Sequence, residues 1–194
     1  VALLLTTVAA PEASPAIAPG PGSATVLVRG GAWVGSAVIW DPAARRMLTA
    51  LHVVEGMPPD AIEVVLPGHG AVPARVVDRE PDLDLAVLEV GVELHAAPPL
   101  GDARVLSGGA AIALAACRAS HCSPVPGRVV APSRTFAGAR YLAVAARVEP
   151  GSSGAAVLDE TGALVGIVDL ALVREPGTAL AVPIDRAVAR FPRD

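Results

Sequence analysis

VEPGSSGAAVLDETGALVGIVDL, residues 148–170, is the stretch on which the fold turns. Pro150-Gly151-Ser152-Ser153-Gly154 is a run of turn formers. An apolar run, Ala155–Leu158, follows at once. Asp159-Glu160-Thr161-Gly162 then makes a hairpin turn, and a second apolar run covers Ala163–Leu172. Turn, strand, hairpin and strand in this order read as antiparallel β-structure. A serine on such a glycine-flanked turn can expose its hydroxyl, and the flanking glycine lets backbone N–H groups converge on one spot, as an oxyanion hole requires. An ordinary Gly/Ser hairpin loop is the competing reading.

Working outward, the same punctuation recurs along the chain. Ala24–Val28, Ala32–Trp40, Ile62–Leu66, Ala71–Val77 and Leu85–Val90 suit strands. The break AAPPLGDA, residues 96–103, ends this series. Ala110–Cys117, Arg128–Ala131, Tyr141–Ala146 and Ala179–Val182 complete the second series around the opening stretch. Helical periodicity is limited to Ile184–Phe191 and one turn after His52. The pattern is all-β, in two halves, with a short C-terminal helix.

The composition agrees. Of 194 residues, 53% are hydrophobic and 18% charged, so a large core is within reach. Aromatics are 3%, which leaves the core to Ala, Val and Leu. The net charge is −4 with no basic patch, which gives a nucleic-acid partner no electrostatic footprint. The chain has no Lys, Asn or Gln, so Asn-linked glycosylation has no acceptor. Residues 1–22 open with VALLLTTVAA and continue in Ala, Pro, Ser and Gly. This run is too short to span a bilayer. It reads as the apolar part of a secretory signal or anchor, against the alternative of a flexible terminus. That points to a secreted or periplasmic location and to no other membrane contact.

Cys117 and Cys122 lie in CRASHC. In an exported protein they suit a small disulfide. Free thiols, or a partial metal site with His121, are the alternatives. Structural zinc needs four ligands and no second cluster exists, so neither a metal nor a cofactor is expected. No phosphate loop, dinucleotide fingerprint or HExxH zinc motif occurs either.

Three groups could carry chemistry. His69 and His95 lie in turn and loop sequences, whereas His52 follows the apolar run Met47–Leu51 and precedes Val53-Val54. By itself such a histidine is more often a satisfied structural residue than a catalytic one, and its position alone does not decide between the two. Asp78, Asp82 and Asp84 cluster in VVDREPDLDLAVLEV, residues 76–90, and Asp84 stands at the mouth of the run Leu85–Leu88. A carboxylate there must be hydrogen-bonded, either as an orienting acid or as a strand cap. Ser153 and its neighbour Ser152 complete the set. The order His, Asp, Ser, with the Ser on a glycine turn of the second half, is that of chymotrypsin-like enzymes.

The flanking strings resemble the HtrA (Deg) peptidases. VGSAVIWDPAARRMLTALHVVEG, residues 34–56, is similar to that family's GSGxxI…ILTNAHVV block. VVDREPDLDLAVLEV is similar to its DxxxDLAVL block, which selects Asp84 over Asp82. The opening stretch is similar to INPGNSGGPLxxxxGxVIGI, which selects Ser153 over Ser152. ALAVPIDRAV, residues 179–188, is similar to its FAIPID segment. The resemblance runs from about Thr25 to Phe191, and the small bacterial trypsin-like peptidases compare equally well. It implies two six-stranded antiparallel β-barrels, at about 23–97 and 103–194, in a protease domain without a PDZ domain.

It further implies a serine endopeptidase acting on polypeptides with His52, Asp84 and Ser153 as triad. Gly151 and Ser153 N–H groups would form the oxyanion hole. A primary specificity pocket is implied along Ala145–Glu149, Gly166–Leu170 and Thr178–Val182, with Gly166, Val168 and Leu170 as substrate-binding residues. Arg147 and Asp169 stand out there as charged side chains among small aliphatic ones. Departures gather at the turn, where Ser152, Ala155 and Ala156 replace the family's Asn, Gly and Pro. Ala155 would crowd the turn if its φ were positive. A trypsin-fold binding protein without catalysis is the rival reading. An α/β-hydrolase esterase is disfavoured by the missing final Gly of GxSxG and by the residue order.

Overall fold

Successive side chains of a strand face opposite ways, and this sorts the apolar residues into three cores. In β2 (Trp33–Asp41), Ala37 and Ile39 enter one barrel, while Val38 and Trp40 face the other barrel. β6 (Leu85–Val90) repeats the split, with Ala86 and Leu88 inside and Leu85 and Val87 toward the partner barrel. The computed structural model describes residues 24–94, 97–118, 121–172 and 174–193. The signal or anchor expected at 1–22 lies outside the described residues.

The first barrel adds β1 (Thr25–Gly30), β3 (Arg46–Ala50), β4 (Glu63–Leu66) and β5 (Gly70–Glu80), and it closes in the order β1-β2-β3-β6-β5-β4. The second barrel consists of β7 (Ala111–Arg118), β8 (His121–Phe136), β9 (Ala139–Ala146), β10 (Ala156–Asp159), β11 (Leu164–Ala171) and β12 (Thr178–Pro183). It closes as β10-β11-β12-β9-β8-β7. Among the described residues, closure of both sheets leaves no edge strand to aggregate. The all-β, two-barrel expectation therefore holds, helix included.

Two strands exceed what local reading supports. β8 runs for 16 residues although Pro124, Pro126 and Pro132 interrupt it. Its register shifts at Val129/Ala131 and Ala131/Arg134, and such bulges accommodate proline and bend a strand between two neighbours. β3 is five residues long and bonded on both sides, to β2 and β6, so its pairing rather than its pattern defines it.

The third core lies between the barrels and contains Val38, Trp40, Leu48, Leu85, Ile167, Leu180 and Ile184. The C-terminal helix α2 (Ile184–Arg190) fastens it. Trp40 Nε1 donates to the Phe191 carbonyl at 3.0 Å, and the Arg193 guanidinium lies 4.2 Å from the centre of the indole ring. Arg190 reaches across to Asp78 and Glu80 of β5. The helix of one barrel thus holds the other in place, and the cleft between them is fixed.

Candidate active site

The cleft collects one group after another from both barrels. β3 ends at Ala50 and the single-turn helix α1 (Leu51–Glu55) follows, with no capping side chain of its own. Asp84 supplies the missing acceptors. Leu51 N–H donates to the Asp84 carbonyl at 2.8 Å, and His52 N–H donates to Asp84 Oδ1 at 2.9 Å. These bonds satisfy helix-terminal donors that would otherwise be orphaned. Asp84 reaches them because it ends the 3₁₀ turn Pro81–Leu83 in a left-handed conformation, φ 50° and ψ 43°, which Asp tolerates better than most residues.

His52 Nδ1 meets Asp84 Oδ2. The hydrogen bond to Asp84 raises the His52 pKa above its ordinary value against the opposing effect of burial. Burial pushes Asp84 upward, but its bonds to His52 prevail and hold it below the usual carboxylate range. Nδ1 is engaged by the acid, and none of the described hydrogen bonds uses Nε2.

The second barrel supplies the turn. Pro150 and Gly151 are the central residues of a β-turn closed by Ser152 N–H donating to the Glu149 carbonyl at 2.9 Å. Gly151 has φ 98°, and a Cβ there would lie 2.8 Å from the Cys117 carbonyl. Gly154 has φ 81°, and its Cβ would stand 1.9 Å from the Ser36 carbonyl oxygen. Both glycines are therefore required. Among the described hydrogen bonds, none uses the N–H of Gly151 or Ser153, whereas Gly154 N–H donates to the Val168 carbonyl. Ala155 does not have a positive φ and is fully buried in the second core, so the crowding considered for it does not arise.

Sequence reasoning missed the residues that brace this turn. Ser36 is wholly buried; its Oγ donates to the Gly151 carbonyl at 2.7 Å and accepts from Cys117 N–H at 3.0 Å. Its backbone N–H donates to the Ser153 carbonyl at 2.8 Å, and Thr49 Oγ1 donates to the Ser36 carbonyl at 2.7 Å. Serine and threonine in otherwise apolar strands were the available signal, since a buried hydroxyl needs partners. Cys117 and Cys122 face each other across β7 and β8 and form a disulfide beside the turn.

Asp169 joins the two halves. It is 5% exposed and sits where the register of β11 against β12 shifts between Val168 and Leu170. The bulge aims its side chain into the cleft, where ligand atoms of His52, Asp84 and Asp169 lie within 4.8 Å of one another. Burial first, and then Asp84, push the Asp169 carboxyl up to about 7, and Tyr141 of β9 bonds to it. The Asp169 carbonyl accepts from Ser153 Oγ at 3.3 Å. Among the described residues these three are the group whose spacing could hold a metal ion, but His52 Nδ1 is already engaged by Asp84.

A cavity of about 300 Å³ opens beside Ser153, lined by Val148, Glu149, Pro150, Ser152, Val168 and Ala171. Of the substrate-binding residues expected, Val168 is in this wall. Gly166 is paired with Pro183 inside the sheet, and Leu170 packs against the core between the barrels.

Residues 35–167 match the family model of the trypsin-like peptidase domain. The chain belongs to that family. This peptidase domain is 29% identical over 157 residues to a serine protease Do-like HtrA of Lactobacillus helveticus, a match covering 73% of the chain and 38% of that relative. It thus spans about two fifths of the length of that protein. The HtrA-type protease AlgW, solved with a tripeptide, is 26% identical with a TM-score of 0.77, over 86% of this chain and 58% of that one. The active form of the Rv3671c protease from M. tuberculosis has the same fold, with a TM-score of 0.77 at 22% identity over 98% of this chain and 95% of that chain.

Proposed function

We propose that this peptidase domain is a serine endopeptidase in which Ser153 is the nucleophile, His52 the general base and acid, and Asp84 the residue that orients His52. One observation carries the reading: the acid–imidazole pair of the first barrel and the glycine-braced serine turn of the second meet at Asp169, whose carboxyl lies within 4.8 Å of ligand atoms of His52 and Asp84 and whose carbonyl accepts from Ser153 Oγ. Ser153 Oγ attacks the peptide carbonyl as His52 Nε2 takes its proton. His52 then gives that proton to the leaving amine, while Asp84 stabilises the imidazolium. The N–H groups of Gly151 and Ser153 receive the oxyanion, each worth roughly 10² to 10³ in rate.

The rival, a binding protein without turnover, draws on the bond from Ser153 Oγ to the Asp169 carbonyl. A serine hydroxyl rotates between staggered positions at little cost, so the bond equally suits a resting enzyme. A fluorophosphonate probe separates the two. Covalent labelling that Ser153→Ala abolishes is expected; a folded wild-type protein that resists labelling would establish the rival.

Val148, Val168 and Ala171 make the cavity wall largely aliphatic, which favours cleavage after small aliphatic residues. A peptide library strongly preferring basic residues would overturn this. The Cys117–Cys122 disulfide and the apolar run of residues 1–10 favour a secreted or periplasmic setting. No helix among the described residues is long and apolar enough to cross a membrane. Cell fractionation tests the assignment.

A further inference from the structure

Two carboxyl groups with no cation between them cannot both ionise freely at this separation. Asp84 is the one that must be ionised, because it holds the imidazole and accepts the His52 N–H. Asp169 comes to the same spot from the opposite barrel, on a bulge, with 5% of its surface exposed. An apolar side chain or a serine would fill the place without this conflict. The mechanism described above uses neither its carboxyl group nor the Tyr141 hydroxyl beside it.

We propose that Asp169 is a positioning residue: it stands as a neutral carboxylic acid that donates a hydrogen bond to the Asp84 carboxylate, while its own backbone carbonyl holds the Ser153 hydroxyl at rest. This deepens the serine-endopeptidase reading and rests on it. One residue thereby touches both parts of the triad, through its side chain on one side and its main chain on the other. The donated bond fixes the rotamer of Asp84 and draws off some of its charge. When the proton leaves Asp169 for solvent, the donor is lost. A second negative charge then faces His52 and favours the imidazolium, which cannot act as base.

The groups around Asp169 support this assignment from every side. Asp84 comes from the 3₁₀ turn, His52 from α1 and Tyr141 from β9. Beyond them, Glu55 acts on His52, and Arg186 of α2 acts on Tyr141. No cation among these touches Asp169 directly other than a protonated His52. Burial and the charge of Asp84 therefore dominate, and both favour the protonated form. The three groups titrate as a coupled set, so the activity profile follows the cluster rather than His52 alone.

The test compares wild type, Asp169→Asn and Asp169→Leu, with a chelator present throughout. The Asn amide keeps a donor and the shape but cannot ionise. Its kcat should stay within about fivefold of wild type, and its pH profile should lose one titration between about pH 5 and 9. The Leu variant has no donor, and its kcat should fall about ten- to a hundredfold with KM unchanged. Wild-type and Asn profiles that superimpose would overturn the proposal, as would an unimpaired Leu variant. Infrared difference spectra decide it without turnover. A protonated-carboxyl stretch should be present in wild type at pH 5.5, titrate away near 7 and be missing from the Asn variant. Absence of that band sinks the proposal even in an active enzyme. A protein that shows the band but resists fluorophosphonate keeps the acid pair and refutes only the peptidase reading.

Discussion

The 3₁₀ turn at Pro81–Asp84 and the bulge at Val168–Leu170 deliver the same functional group to the same cleft, and the outcomes are opposite. On the turn, Asp84 takes a left-handed backbone and meets two N–H donors, from the His52 main chain and imidazole. Burial opposes its charge, but the donors prevail and it ionises easily. On the bulge, Asp169 is more deeply buried and meets the like charge of Asp84, and together these outweigh its bond to Tyr141, so its carboxyl is pushed up to about 7. The difference shows that neither burial nor proximity alone sets the state of an acid. What counts is whether the cleft offers it hydrogen or charge.

The largest effect should come from Ser153→Ala, which removes the proposed nucleophile. Turnover should fall by roughly 10⁶ with the thermal transition unchanged, as read by peptide hydrolysis and calorimetry. Next, Asp84→Asn should cost about 10⁴ in kcat by holding the wrong imidazole tautomer. If Asp169→Asn costs as much, the asymmetry between turn and bulge is broken.

Stability against pH sharpens the same contrast. The lowered pKa of Asp84 stabilises the fold above its unfolded pKa near 3.8, and this support is lost as pH falls through its folded pKa. Asp169 has the reverse sign. Its folded pKa of about 7 lies above the unfolded value of 3.8, so the folded state binds the proton more tightly and loses stability as pH rises between the two. Asp169→Asn should therefore raise Tm at pH 8, and the gain should shrink toward pH 4. His52, with a raised pKa, stabilises below 6.5 and stops doing so as pH rises through its folded value. Its activity runs the other way, so kcat/KM should climb with pH as the imidazole loses its proton. A profile flat from pH 5 to 8 would contradict the assigned base.

The smaller effects test the scaffold that holds turn and bulge together. Gly154→Ala places a methyl against the Ser36 carbonyl at a positive φ and should cost more than about 2 kcal/mol in denaturant unfolding. Reduction of Cys117–Cys122 should cost about 2 kcal/mol, since the loop it closes is short. A larger loss of activity than of stability on reduction would place the disulfide in the support of the Gly151 turn.

Legibility followed the locality of each feature. The Asp159–Gly162 hairpin and the helix beginning at Ile184 were readable because neighbouring residues specify them. β8 was read at only four of its residues, because its prolines argue against a strand and only its pairing with β7 and β9 answers them. His52 could not be told from a structural histidine until the strings around it were compared with a family, and Asp169 stood out only as a charge in an aliphatic wall.

By itself, then, the sequence determined the two runs of strands, the glycine turn and the order of His52, Asp84 and Ser153, because turn chemistry and side-chain alternation act over a few residues. Only the tertiary structure decided that Asp84 caps the helix carrying His52, that Ser36 braces Gly151, and that a bulge turns Asp169 onto Asp84. Those contacts join residues 32, 115 and 85 positions apart, and they exist only because two closed barrels meet across one cleft.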